Sequence, residues 1–193
     1  MTTDKSDIKI VAFVGLPGAG KSSAVDYLTA KDYPKVYFGG VVLQAMKDAG
    51  LDQNPENEKY MREKLRADEG KDVIVNRIVT QIRDLIDAGQ RRIIADGLYS
   101  WTEYKIMKHE FPGELTVVAI TAPNHLRYRR LATRPVRPMT AQQARERDWA
   151  EIENLEKGGP IAIADHTIIN NKDLDWLYKQ IDDELEHIKF YDH

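Results

Sequence analysis

Residues 15–23 read Gly-Leu-Pro-Gly-Ala-Gly-Lys-Ser-Ser. Within them Gly15, Gly20, Lys21 and Ser22 hold the spacing Gly-x-x-x-x-Gly-Lys-Ser, which points to one kind of chemistry. The two glycines permit a tight turn whose backbone N–H groups converge on an anion. A helix starting after Gly20 adds the favourable end of its dipole. Lys21 can then reach the β- and γ-phosphates of a nucleoside triphosphate, and the Ser22 hydroxyl can coordinate Mg²⁺. Pro17, Gly18, Ala19 and Ser23 complete the loop. The alternative is a glycine-rich strand-to-helix turn that binds nothing, and the full pattern in its strand-and-helix context weighs against it.

Two further groups bear on the fate of the phosphate. Asp96 ends the apolar run 91–96. Next to the loop it would hold Mg²⁺ through water, or take the proton from an attacking oxygen. The other reading has it capping a helix that starts near Ser100. Between 127 and 147 stand seven arginines and no lysine: Arg127, Arg129, Arg130, Arg134, Arg137, Arg145 and Arg147. Arginine stays charged and presents a planar fork to phosphoryl oxygens. Steps of three and four put Arg127, Arg130 and Arg134 on one helical face. Pro135 and Pro138 then break the helix, a pattern expected of a hinged lid. Phosphate contact is expected of Arg130, Arg134 and Arg137. A solvated face paired with the acids of 146–156 is the reading for Arg129 and, in part, for Arg145 and Arg147.

These residues need a frame that gathers them. Short apolar runs at 8–14, 35–38, 91–96, 114–121 and 165–170 read as strands. Helices are expected at 20–30, 41–49, 56–68, 72–89, 124–133, 141–156 and 173–187. In the fourth of these, Val75, Ile78, Val79, Ile82, Leu85 and Ile86 share a face and Gly89 stops the helix. Strands alternating with helices imply an α/β fold, a parallel sheet covered on both faces. Its ligands bind at the carboxyl ends of the strands, where the glycine loop, Asp96 and the turn after Asn170 all fall.

The chain of 193 residues is expected to form a single domain. Twenty-eight basic and 31 acidic residues argue against nonspecific nucleic-acid binding as its main task. With no cysteine there is no disulfide, zinc–thiolate site or cysteine nucleophile. No run approaches eighteen apolar residues and residues 1–7 lack a signal core, so a soluble cytoplasmic protein without a membrane partner is expected.

Taken in order, GLPGAGKSS, FGGVV (38–42), ADGLYS (95–100), the arginine segment and IINN (168–171) resemble the nucleoside monophosphate kinase class of P-loop kinases. The likeness is nearer still to an adenylate-kinase-related, dephospho-coenzyme A kinase-like group, with RADEGKDVIVNRI (66–78) and RERDWAEI (145–152) adding to it. The resemblance implies a three-layer fold with a five-stranded parallel sheet in the order 2-3-1-4-5. It also implies a helical acceptor-binding insert and crossover at 39–88 and a lid region at 127–157. It assigns Lys21 and Ser22 to phosphate and Mg²⁺, Asp96 to the acidic position of the DG motif, and Arg130, Arg134 and Arg137 to the lid clamp. Asn170 and Asn171 fall at the turn bordering adenine, and Gly39 at the acceptor-site glycine. The arginine usual after that glycine is replaced by Val41, Val42, Leu43 and Gln44, which leaves Arg66 or Arg77 as candidates to hold the acceptor.

The expected function is Mg²⁺-dependent phosphoryl transfer from ATP to a small nucleotide-like acceptor, by a monomer or homodimer. Kinases of dephospho-coenzyme A or another small metabolite are the alternative within the class. A nucleotide-binding regulatory module with little transferase activity is the alternative outside it. Tyr99, Trp101 and Tyr104 follow Asp96 and either stack on an acceptor base or pack against the sheet.

Overall fold

In the computed structural model, which describes residues 7–191, the chain runs β1 (Lys9–Val14), α1 (Lys21–Thr29), β2 (Lys35–Tyr37), α2 (Phe38–Asp48), α3 (Pro55–Glu69), α4 (Val73–Asp87), β3 (Arg92–Asp96) and α5 (Trp101–Glu110). It continues through β4 (Leu115–Thr121), α6 (Asn124–Thr133), α7 (Ala141–Leu155), α8 (Gly158–Ala162), β5 (His166–Ile169) and α9 (Leu174–His187). The five strands form one sheet, all parallel, in the order β2-β3-β1-β4-β5. The expected fold class and strand order are both found.

The apolar strands are uninterrupted because the sheet is buried on both sides. Side chains alternate between faces along each strand. Ile10, Ala12, Val14, Ile93, Ala95, Val117 and Ala119 pack with α2, α4 and α5. Val11, Phe13, Ile94, Val118, Ile120 and Ile168 pack with α1 and α9. Registers such as Val11 opposite Ile94 and Ala12 opposite Val117 keep these layers level. On α4 the stripe Val75, Ile78, Val79 and Ile82 is buried, as its spacing predicts, while Leu85 and Ile86 pack at its edge. Burying one such aliphatic side chain stabilises by roughly 1.5–3 kcal/mol.

Local chemistry moves some expected boundaries. Phe38 opens α2 rather than ending β2, so Gly39 lies in the first turn of a helix. Asn54 caps α3 by accepting from the Asn57 N–H at 2.8 Å, with Pro55 in the first turn. Ser100, not Asp96, caps α5. It accepts from the Glu103 N–H at 3.1 Å while Glu103 Oε2 accepts from the Ser100 N–H at 2.9 Å. The capping reading of Asp96 is thereby corrected. The short helix α8 was not expected.

One surface cluster binds α1 to α9. Asp182 accepts from Tyr27 Oη at 2.5 Å, from Lys31 Nζ at 2.9 Å and from the Tyr191 hydroxyl. Tyr27 stacks on Tyr178 with ring centres 4.2 Å apart. Burial opposes the charge on Lys31, but the hydrogen bonds to Asp182, Tyr27 and Tyr191 outweigh it and raise its pKa above the usual lysine range. Burial likewise opposes the Asp182 carboxylate, and its bonds from Lys31, Tyr191 and Tyr27 reverse that and lower its pKa.

Candidate active site

The glycine loop leaves β1 at Gly15, whose φ of 151° no side chain favours. A Cβ there would stand 2.3 Å from the Ile120 carbonyl oxygen. At its other end Gly20 has φ 113°, and a Cβ would meet the Asn170 amide nitrogen at 2.4 Å. That amide donates to the Ala19 carbonyl at 2.8 Å, so the turn after β5 is pinned to the back of the loop. α1 then starts at Lys21 with no side-chain cap and no acid in its first turn. Its leading N–H groups remain available to an anion. Lys21 is buried and donates to the carbonyls of Gly15 at 2.6 Å and Leu16 at 3.2 Å. Burial first, and the neighbouring Lys157 second, lower its pKa to about 7. Among the described residues it forms no salt bridge. A buried ammonium without a carboxylate is the state of a residue that awaits an anion.

In front of the loop opens a cavity of about 1060 Å³. Pro17, Gly18, Gly20, Lys21, Ser22 and Ser23 line it, while Gly15 and Ala19 stand behind and shape the turn. Arg130, Arg134, Arg137 and Asn170 also face it, as do Gly39, Arg66 and Tyr99. Asn171 and Arg77 do not line it. Arg77 pairs with Glu69 at 2.5 Å, away from the cavity. Asp96 stands at the end of β3, outside the lining. Its carboxylate faces Lys35 at 3.7 Å, and burial, the main influence, raises its pKa. Trp101 and Tyr104 stack on each other, ring centres 5.4 Å apart, and Trp101 packs against Gly159, so of the three aromatic residues Tyr99 alone reaches the cavity.

The arginine segment divides. Arg127 does not share the cavity face with Arg130. It is 3% exposed, donates to both oxygens of buried Asp148 at 2.9 and 2.6 Å, and reaches the Pro17 carbonyl at 3.0 Å. Arg130 donates to the carbonyls of Gly18 at 3.4 Å, Asn170 at 3.0 Å and Lys172 at 3.2 Å. Arg134 lies past the end of α6 in extended backbone, which corrects the expectation of one helical face through 134. Its Nε donates to the Arg137 carbonyl at 2.7 Å, and its Nη2 is buried without a partner.

Several charged residues line the cavity that the sequence reading did not assign to the site. Arg62 stands one turn before Arg66 on α3, and Glu58, Arg62 and Arg66 form an i, i+4 series that could have flagged it. Arg147, Glu151 and Lys157 also line the cavity. Only the folded chain brings Lys157, near the start of α8, to the loop. In all, nine basic and four acidic side chains line the cavity of a chain whose formal net charge is −3. No group of three or more His, Asp or Glu among the described residues forms a metal cage. The Ser22 hydroxyl, on the cavity wall, could join a Mg²⁺ that arrives with phosphates as its main ligands.

A family model described as an AAA domain matches residues 11–156. A UPF0200 protein of Thermococcus gammatolerans is 31% identical over 182 residues, covering 93% of this chain and 95% of the relative. Another from Thermococcus kodakarensis is 32% identical over 165 residues, covering 84% and 88%. The chain belongs to the UPF0200 family and carries its AAA domain. Among solved structures, TT1252 from Thermus thermophilus aligns over 93% of this chain and 97% of its own, with TM-score 0.61 and 17% identity. The shikimate kinase of Bacteroides thetaiotaomicron aligns over 94% and 98%, with TM-score 0.57 and 12% identity. The fold of this UPF0200 protein is that of the P-loop kinases. No helix among the described residues is long and apolar enough to cross a membrane.

Proposed function

We propose that the protein transfers the terminal phosphoryl group of ATP, bound with Mg²⁺, to a small anionic, nucleotide-like acceptor. The observation that carries this reading is one cavity lined by nine basic and four acidic side chains. The phosphate loop, Gly39, Arg62, Arg66, Arg130, Arg134 and Arg137 all line it. Its volume of about 1060 Å³ is at the upper end of the usual small-molecule range and suits two ligands held together.

In this reading the loop N–H groups and Lys21 hold the β- and γ-phosphates, and Ser22 and Asp96 hold the metal, which neutralises phosphate charge. The acceptor oxygen forms its bond to the γ-phosphorus as the bond from that phosphorus to the bridging oxygen of ADP breaks. Arg134 donates to the oxygens in flight, a role supported by its place in the cavity lining and its buried, unpartnered N–H. Within the lid region 127–157, the segment that follows α6 closes to keep water out. Arg62 and Arg66 on α3 take the place of the arginine that α2 lacks. An ionised phosphate oxygen as nucleophile needs no base.

A second reading, a hydroxyl acceptor on a small metabolite, is favoured by the raised pKa of Asp96, which suits a base at the strand end. Shikimate kinase and gluconokinase share the fold. One assay separates the readings: ADP production from ATP and Mg²⁺ across nucleoside monophosphates, dephospho-coenzyme A, and hydroxylated metabolites including shikimate and gluconate. Stimulation by a phosphate-bearing acceptor is expected. Stimulation by a neutral polyol alone would move the assignment to the second reading. Tight ATP binding with no stimulation by any acceptor would make the protein a nucleotide-binding regulatory module.

A further inference from the structure

Lys157 precedes α8 and is 3% exposed, an uncommon place for a lysine. Its ammonium donates to Glu151 Oε2 at 2.5 Å and lies 4.4 Å from the centre of the Tyr99 ring, whose face favours a cation. Glu151 also accepts from Arg147 Nε at 2.9 Å. One carboxylate thus serves two cations, and all three side chains line the cavity. Of the three N–H groups on Lys157, one has an acceptor among the described residues. The ammonium is near enough to Lys21 to rank second, after burial, among the causes that lower that residue's pKa. Two buried ammonium groups therefore line the same cavity, one from the loop and one from the chain behind the arginine segment.

We propose that Lys157 is a second phosphoryl-binding ammonium that grips the terminal phosphoryl group of the nucleotide. Until nucleotide binds, Glu151 stands in for that group, holding Lys157 and Arg147 where the phosphoryl oxygens will lie. This rests on the phosphoryl-transfer reading and adds to it a group outside both the glycine loop and the arginine run. A phosphoryl group has more oxygens and more charge than one carboxylate, so it can take over both cations when it arrives.

Calorimetric binding of ATP·Mg²⁺ and ADP·Mg²⁺ tests the proposal without requiring turnover. Lys157→Gln is expected to weaken ATP at least tenfold and ADP less than threefold, and Lys157→Arg to recover most of the ATP affinity. A merely structural lysine would lower both affinities together, so equal losses, or none, overturn the proposal. Glu151→Gln loosens the hold on Lys157 at nearly constant volume. It is expected to tighten ATP relative to ADP, and it carries the test should Lys157→Gln not fold. An unchanged or weakened ATP preference in Glu151→Gln overturns the proposal as well. If the wild-type protein binds neither nucleotide, the phosphoryl-transfer reading falls and takes this one with it. If it binds ATP and neither variant changes the ratio, this one falls alone.

Discussion

Two lysines ten residues apart in sequence, Lys21 and Lys31, stand at opposite ends of α1 and live in opposite circumstances. Lys31 has Asp182 at 2.9 Å, two tyrosine hydroxyls near the same carboxylate, and the Tyr27 ring 4.2 Å below its charge. Its positive charge is fully answered within the protein, and its pKa rises. Lys21 is more deeply buried and has only two carbonyl oxygens of its own loop, and its pKa falls to about 7. The first lysine holds α1 to α9. The second keeps a deficit that only a ligand can fill. A charge left unanswered where the fold could have answered it marks a place built for something else.

The comparison breaks first if the two lysines respond alike to removal. Lys21→Met should lower any acceptor-dependent turnover by roughly 10³-fold or more, because it removes a charge aimed at the phosphates. The empty protein should nevertheless become more stable. A lysine depressed from 10.5 to about 7 costs the folded state below pH 7, and that cost fades as pH climbs toward 10.5. Thermal unfolding at pH 6 should therefore show a higher midpoint for Lys21→Met than for wild type, with the gap shrinking by pH 10. A lower midpoint at pH 6 would mean that Lys21 is a structural cation like Lys31.

The arginine segment allows a sharper form of the same contrast. Arg127→Ala strands the buried Asp148 carboxylate and should cost about 3–5 kcal/mol in denaturant unfolding. Arg134→Ala removes a group with a buried, unpartnered N–H. It should leave stability within about 0.5 kcal/mol while cutting turnover roughly 10²-fold with little change in ATP affinity. Parallel losses of turnover and ATP binding in the Arg134 variant would remove its proposed role at the transferring group.

The smallest effect belongs to the answered cluster. Asp182 is about one-third exposed, so Asp182→Asn should cost only about 0.5–1 kcal/mol at pH 7. Its carboxyl is held below the usual value, so the contribution is present above pH 4 and disappears as pH falls through the folded value. Urea titrations at pH 7 and pH 3 should show a smaller difference between variant and wild type at the lower pH. A gap of equal size at both would mean that the side chain contributes through packing.

Much of this was readable beforehand, for reasons that can be named. The five strands and the α4 stripe were legible because a sheet buried on both faces demands unbroken apolar runs and a helix repeats every 3.6 residues. The glycine loop was legible because its backbone geometry admits few residue types. The division of the arginines was not. Arg127 and Arg130 are equally good phosphate ligands by type and spacing, and only the arrival of Asp148 from α7 commits the first to the interior. Arg77 and Arg66 differ in the same way, one claimed by Glu69 and the other left facing the cavity. Lys157 gave no local signal, since its place depends on how α7, α8 and Tyr99 pack.

The tethers of α6 also have a mechanical meaning. Arg127 holds the Pro17 carbonyl and Arg130 the Gly18 and Asn170 carbonyls, so this helix is bolted at two successive turns to the phosphate loop itself. It serves as a fixed post rather than a moving arm. Closure of the proposed lid must pivot beyond it, at residues 134–140 where Pro135 and Pro138 stiffen the chain. Arg134 then sits at the axle and travels little, while Arg137 rides farther out; Arg147 neighbours the Asp148 that Arg127 holds to the post, and stays with it.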